Sequence, residues 1–391
     1  MMQPEVAPMI EKRIYEMVRS MCADARNAVS KAIRAYAEAT AIVGDLESPS
    51  DYDVQEDRCL MSATPMMNDL AFADDDGAIH DMAVDSNSDG DMVAVWASED
   101  SSHEGAVEIW AKVFYDGNPT GEKFLVNTTT DGDHYNPDVA LDDDGNFVVV
   151  WEGSGKDSVT GQFDDHGIFG RLFNADGIAQ GGEFLVNHLG TQGDQTEASV
   201  DMNADGDFVV AWSDLHSGKL SLQRYDLYDG ETLDHPVHFG QDQVDSGTSV
   251  DVAIGPNGEM VAVWDSGGQG HGVLLDSDGT LSDVFAVGMD MSYQAVSAPS
   301  VDMGSDGSFV VAYSALHDGT GDWDIFAQRY DSDGLLDGDA LHVYDDPLHD
   351  QSHPDVQVDG NGSFFIRPMT FFSFVISIIR ARRAARRSTS A

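Results

Sequence analysis

Short apolar runs alternate with polar turns along this chain in a fixed order, and that order returns six times. The clearest copies are Pro137-Asp-Val-Ala-Leu-Asp-Asp-Asp-Gly-Asn-Phe-Val-Val-Val-Trp151 and Ser199-Val-Asp-Met-Asn-Ala-Asp-Gly-Asp-Phe-Val-Val-Ala-Trp212. The anchoring glycines are Gly90, Gly145, Gly206, Gly258, Gly307 and Gly362, spaced 55, 61, 52, 49 and 55 residues apart, which is the signature of a repeat array. Each unit begins with an alternating run and an Asp/Asn-x-x-Gly turn. An apolar run follows, ending in Trp96, Trp151, Trp212, Trp264 or Tyr313. After a variable loop come a third run such as Gly167-Ile-Phe-Gly-Arg-Leu-Phe173, a second Asp-Gly turn, and a fourth run such as Glu183-Phe-Leu-Val-Asn187.

Four short strands joined by hairpin turns in about 50 to 60 residues predict one blade of a β-propeller. The second strand is apolar on both faces, with Phe147, Val149 and Trp151 on one and Val148 and Val150 on the other, as a sheet covered on each side requires. The expected fold is therefore all-β: a propeller of about six four-stranded blades over residues 69–366. The sixth copy, Pro354 to Ile366, supplies only a first and a second strand, while Asp69-Leu-Ala-Phe-Ala reads as a lone fourth strand. One blade is thus incomplete, and an outer strand from the N-terminal side is expected to help close it.

Outside the repeats the periodicity changes. Ile10, Ile14, Met17, Val18 and Met21 have helical spacing, so residues 1–44 are expected to form a helix, either packed as an amphipathic element or used as a coiled coil. Residues 45–68 read as an acidic linker. Residues 367–391 form an apolar, then arginine-rich tail that breaks the pattern inside a motif at Arg367-Pro368. Met369–Ile379 is too short to span a bilayer. A truncated or frame-shifted end of a longer repeat protein is favoured over a membrane or sorting anchor, and membrane association is expected only if the tail is a genuine anchor.

Charge narrows the function classes. Twenty basic against seventy acidic residues give a net charge of −50. Such a field repels nucleic acid and anionic lipid, and it calls for screening by salt or divalent cations. Two cysteines, Cys22 and Cys59, are too few for a disulfide scaffold, and residues 3 to 43 lack the uninterrupted apolar core of a secretory signal.

Candidate chemistry lies in the turns and loops. Asp85, Asn87 and Asp89, and again Asp201, Asn203 and Asp205, match Asp-x-Asn-x-Asp-Gly, whose alternating oxygens suit calcium. Trp96 and Trp212 stand where an EF-hand has its twelfth-position glutamate, so plain hairpin turns compete with calcium sites. Every complete variable loop carries a histidine: His103, His166, His216, His271 and His317. In an up-and-down blade these loops share one face with the fourth-to-first connections, so a histidine-lined ligand or metal site is one expectation and unconnected polar loop residues the other. Lys112, Arg171, Arg224 and Arg329 fall in third strands and read as partners of neighbouring aspartates. Sialidase-type propellers carry a Ser-x-Asp-x-Gly-x-Thr-Trp turn and an arginine cluster; here Asp276-Ser-Asp-Gly-Thr-Leu281 is a fragment of the turn, and the arginines are missing.

Phe309-Val-Val-Ala-Tyr313 with Ile325-Phe-Ala-Gln-Arg-Tyr-Asp-Ser-Asp-Gly334, and Gly182-Glu-Phe-Leu-Val-Asn187, resemble the propeller repeats of large bacterial surface or secreted proteins. In that family such repeats sit beside calcium-binding and adhesion-type modules. The resemblance implies a non-enzymatic, extracellular or surface-associated adhesion module that recognises a glycan or protein, with calcium rigidifying some turns. The alternative is a glycan-active hydrolase or lyase on the same scaffold. A buried acid pair with raised pKa at the channel mouth would mark the enzyme, and a wide exposed aromatic patch the binder.

Overall fold

A computed structural model describes residues 79–369, apart from the segments 88–89, 101–105, 116–117, 131, 158–159, 189–192, 228–235, 241–247, 289–292, 318–321, 345–350, 359–361 and 363, together with the strands Met61–Ser62 and Val375–Ile379. The helix expected over residues 1–44 and the lone strand expected at 69–73 lie outside the described residues.

Alternation and turn chemistry produce strands where the repeat places them. The first sheet holds β2 (Ile79–Ser86), β3 (Met92–Asp100) and β4 (Ala106–Tyr115), with β5 (Asn118–Pro119) and β6 (Phe124–Leu125) both pairing β4. The second holds β7 (His134–Leu141), β8 (Phe147–Lys156), β9 (Phe163–Phe173) and β10 (Phe184–Leu185). In the third are β11 (Gln195–Met202), β12 (Asp207–Asp214), β13 (Lys219–Asp226) and β14 (Val237–Phe239). The fourth comprises β15 (Val250–Ile254), β16 (Met260–Ser266), β17 (Gln269–Leu275) and β18 (Phe285–Val287). The fifth comprises β19 (Tyr293–Met303), β20 (Phe309–His317), β21 (Trp323–Tyr330) and β22 (Leu341–Tyr344). The sixth joins β23 (Ser352–Val358) and β24 (Phe364–Met369) to β25 (Val375–Ile379), and β1 (Met61–Ser62) pairs β25. All pairings are antiparallel, giving an all-β, loosely propeller-like fold of several four-stranded sheets. Strand β25 lies in the segment read as a tail and β1 in the segment read as a linker, so the sixth sheet draws on both.

Burial follows the two-sided pattern of the second strands. Phe147, Val149 and Trp151 enter a core shared with the first sheet, whereas Val148 and Val150 enter one shared with the third. Further cores join the third sheet to the fourth, the fourth to the fifth and the fifth to the sixth. An aromatic pair recurs across the second and third strands: Phe147 stacks on Phe173 with ring centroids 5.0 Å apart, Phe208 on Tyr225 at 4.9 Å and Phe309 on Tyr330 at 4.8 Å. Phe124, Phe184 and Phe285, each in the fourth run of one sheet, lean onto the pair of the next. Each sheet therefore needs a neighbour to hide its apolar faces, which is the logic of a repeat array.

Candidate active site at the mouth of the central cavity

The first strands carry the inner surface. In the first, third and fifth repeats an aspartate stands five residues before the anchoring glycine (Asp85, Asp201, Asp302); in the second, fourth and sixth it stands seven before (Asp138, Asp251, Asp355). Both positions point the same way on a strand, because the side-chain period is two. All six aspartates line one cavity of about 620 Å³ to which the first strands of all six sheets contribute. Five of them accept an amide from the next sheet: Asp85 from Leu141 at 2.8 Å, Asp138 from Val200 at 2.9 Å, Asp201 from Ile254 at 2.8 Å, Asp251 from Val301 at 2.8 Å and Asp302 from Val358 at 2.5 Å. Gln357 of the sixth sheet donates in turn to Asp85 Oδ1 of the first, at 3.4 Å. Burial, reinforced by the neighbouring carboxylates, pushes these acids up, Asp85 to about 6, Asp302 to about 7 and Asp138 to about 8.

Of the candidate calcium ligands, Asp85 and Asp201 are inner aspartates whose carboxylates accept backbone amides. Their Oδ2 atoms face the neighbouring sheet, and their Oδ1 atoms accept the amides of Ser86 and Met202. Asn203 Oδ1 is occupied by the Asp205 and Asp207 amides, and Asn87 Oδ1 by that of Asp91, as in a side-chain-braced hairpin turn. Asp205 is exposed on its turn, and Asp89 lies outside the described residues. Among the described residues no three His, Cys, Asp or Glu side chains are grouped to hold a metal.

The second strands run back from the glycine turns, and at the end of β7 away from its turn Tyr135 pairs with Glu152 on β8. Here the first strands bulge: pairing slips between Tyr135 and Asp138, between Thr196 and Ser199, between Ser297 and Ser300, and between Ser352 and Asp355. Inside the bulges Asn136, Glu197, Ala298 and His353 take positive φ values of 47° to 55°. A fifth slip, between Ile79 and Met82 in the first sheet, makes the bulge a recurring device of the fold that can re-aim side chains. In the second and third sheets those side chains are Asn136 and Glu197.

Glu152, directly after the strand-ending Trp151, meets both. Its Oε1 accepts the Asn136 amide at 2.9 Å and the backbone N–H of Glu197 at 2.6 Å. Both bonds fall on Oε1, leaving Oε2 as the oxygen that can carry a proton. Burial, with the charges of Glu197 and Asp81 adding to it, raises Glu152 to about 7 against the bonds that pull it down. Glu197 is exposed on the surface, and its pKa is raised by partial desolvation first and then by Asp265 and Asp81. A cleft of about 560 Å³ opens beside Glu152, walled by Tyr135, Phe163, Asp133 and Asp194. Two carboxylates with displaced protonation, one hydrogen-bonded to the backbone of the other residue, form an arrangement able to donate and accept protons.

Of the loop histidines, the side chains of His166, His216 and His271 are described, and these three lie apart. His166 reaches the cleft, with Nδ1 4.0 Å from Asp194 Oδ1. His216 is exposed beside Gly193, and His271 stacks on Trp264 with centroids 5.4 Å apart, burial pushing its pKa down. His103 lies outside the described residues, and of His317 only the backbone pairing to Tyr293 is described. The third-strand arginines turn mainly to carbonyls: Arg171 donates to Val126 O at 2.7 Å, and Arg224 to Ser277 O at 3.1 Å. Glu152 and Glu197 are invisible as a pair in the sequence because 45 residues separate them. The position after the terminal aromatic and the ninth before the glycine are the signals that mark them.

No protein-family model matches the chain, and no curated protein is similar to it in sequence. Among solved structures it is similar to the NanB sialidase of Streptococcus pneumoniae, at 9% identity and TM-score 0.51, over 77% of this chain and 68% of that one. It is also similar to the intramolecular trans-sialidase of Ruminococcus gnavus, at 10% identity and TM-score 0.50, over 77% and 94%. A protein of unknown function from Dyadobacter fermentans is 15% identical, covering 78% and 95%, with TM-score 0.48. These likenesses concern the fold. The expectation of a non-enzymatic adhesion module is corrected on this point: the two of these chains with a stated activity are a sialidase and a trans-sialidase.

Proposed function

We propose that this chain is a glycan-active hydrolase or lyase, built on six blades closed head to tail, with its active site at the mouth beside Glu152. The observation that carries this reading is Glu152 itself, a cleft-lining carboxyl raised to about 7, with Oε1 held by Asn136 and the Glu197 backbone. An acid still protonated near neutrality can deliver its proton to the leaving oxygen of a glycosidic bond, and that need is common to hydrolysis and elimination. Glu197 is the candidate partner base. Ring closure is supported by the cavity shared by all six first strands and by the Gln357–Asp85 contact between the last sheet and the first. The fold likeness to a sialidase and a trans-sialidase supports a glycan as substrate.

The test is a screen of the purified chain on oligosaccharides and aryl glycosides, repeated with Glu152→Gln and Glu197→Gln. Either change is expected to lower turnover about 10²- to 10⁴-fold while leaving the melting temperature within a few degrees. Full activity in Glu152→Gln would refute the assignment.

A further inference from the structure

Three observations at the mouth bear on which sugar it takes, and they deepen the glycan-active reading on which they rest. The first is aromatic. Nearly all described aromatic side chains are buried or half-buried in the inter-sheet cores, but Phe163 is 57% exposed and Tyr135 37% exposed, and both wall the cleft that holds Glu152. Open aromatic faces cost hydration unless something covers them, and the C–H face of a pyranose or furanose ring is a natural cover. The second is charge. The cleft wall carries Asp133, Glu152 and Asp194, with Asp81 and Glu197 acting on Glu152 from beside it. The third is the missing counter-charge. Among the described residues lining the cleft there is no lysine or arginine, and the one histidine, His166, faces Asp194. Lys156 pairs with Phe163 across β8 and β9 but stands outside the cleft wall.

We propose that the mouth binds a neutral sugar chain, with Phe163 and Tyr135 as the stacking platform beside Glu152, and discriminates against uronate and sialyl sugars. A carboxylate-bearing sugar would enter a field of like charge with no cation to receive it. The same geometry narrows the chemistry to hydrolysis, because β-elimination needs a ring proton made acidic by an adjacent carboxylate that a neutral sugar lacks. In the step that remains, the glycosidic C–O bond breaks and the leaving oxygen takes the proton of Glu152. Water bonds to the anomeric carbon and gives a proton to Glu197. Glu152 ends as carboxylate and Glu197 as acid, and solvent exchange resets both.

The experiment uses the full chain carrying Glu152→Gln, so that binding is read without turnover. Calorimetry would compare xylo-, arabino-, cello- and galacto-hexaose with hexagalacturonate and sialyllactose, at low salt and at about 1 M NaCl. Binding of at least one neutral hexaose is expected, weakened about tenfold or more by adding Phe163→Ala or Tyr135→Ala, with thermal melts showing that the fold is kept. Tighter binding of either charged sugar, or aromatic variants that bind the neutral sugar as before, would overturn the inference. A charged sugar bound here and cleaved by the unaltered chain removes the neutral-substrate inference but leaves the glycan-active reading standing. If no sugar of either class is bound or cleaved, the glycan-active reading fails and this inference falls with it.

Discussion

The carboxylate of Asp138 accepts the backbone amide of Val200 at 2.9 Å, bridging the first strands of two consecutive sheets. Burial holds that carboxyl at about 8, so it is largely protonated at neutral pH. Because its folded pKa lies above the ordinary value, its contribution is fully present below about 4 and is lost as pH rises through about 8. Asp138→Asn cannot ionise, but its amide can accept only one of the two N–H groups that Asp138 serves, at a cost of about 1 kcal/mol. The variant should be less stable than the parent at pH 5, and the gap should close or reverse by pH 9. A gap in denaturant midpoint that stays constant over this range contradicts the assignment.

The inner aspartates together predict an acid-favoured fold. Asp85, Asp302 and Asp138, at about 6, 7 and 8, ionise one after another above pH 6, each adding charge to the same cavity. Melting temperature should therefore fall between pH 5.5 and pH 8.5, and about 1 M NaCl should recover part of the loss by screening. A melting temperature that rises across that interval would show that these carboxylates are not held protonated.

A buried ion pair locks the first sheet to the second. Glu108 Oε2 lies 3.4 Å from His134 Nδ1 with both side chains fully buried, and His134 Nε2 contacts Ser154 O at 2.9 Å. Burial opposes the charge on His134, but the bond to Glu108 and the two carbonyl contacts outweigh it and raise the pKa. The stability from this pair is fully present below about 6.5 and fades as pH rises through the higher folded value. His134→Ala would strand the Glu108 charge and should cost about 3 to 5 kcal/mol at pH 6. A double-mutant cycle with Glu108→Gln should recover much of that loss; additive costs would show that the two residues are not coupled.

Strand order and inter-sheet packing were legible in the sequence because both depend on local rules. The Gly-anchored turns, the doubly apolar run Phe147–Trp151 and the strand-ending aromatics each report their surroundings within a few residues. The inner aspartates were visible, but Asp85 and Asp201 were read only with the turn that follows them, as candidate calcium ligands. The shift from five to seven residues before the glycine, which keeps the carboxylate on the same face, is the clue that they serve the cavity. An N-terminal strand was expected to complete the sixth sheet, but at 69–73; Met61–Ser62 pairs Val375–Ile379 across more than three hundred residues, and no local pattern marks that register. Glu152 and Glu197 meet only through a bulge that turns Glu197 to φ 55°, and no local pattern announces that backbone state.

Whether an acid is poised beside the cleft is decided by the protonation of Glu152. Carbon-detected carboxyl resonances of the labelled chain, assigned by their loss in Glu152→Gln, would give its titration midpoint. The account predicts a midpoint of about 7, lowered when Glu197→Gln removes the neighbouring charge. A midpoint in the ordinary glutamate range near 4.5, unmoved by that change, would contradict an acid poised at the mouth.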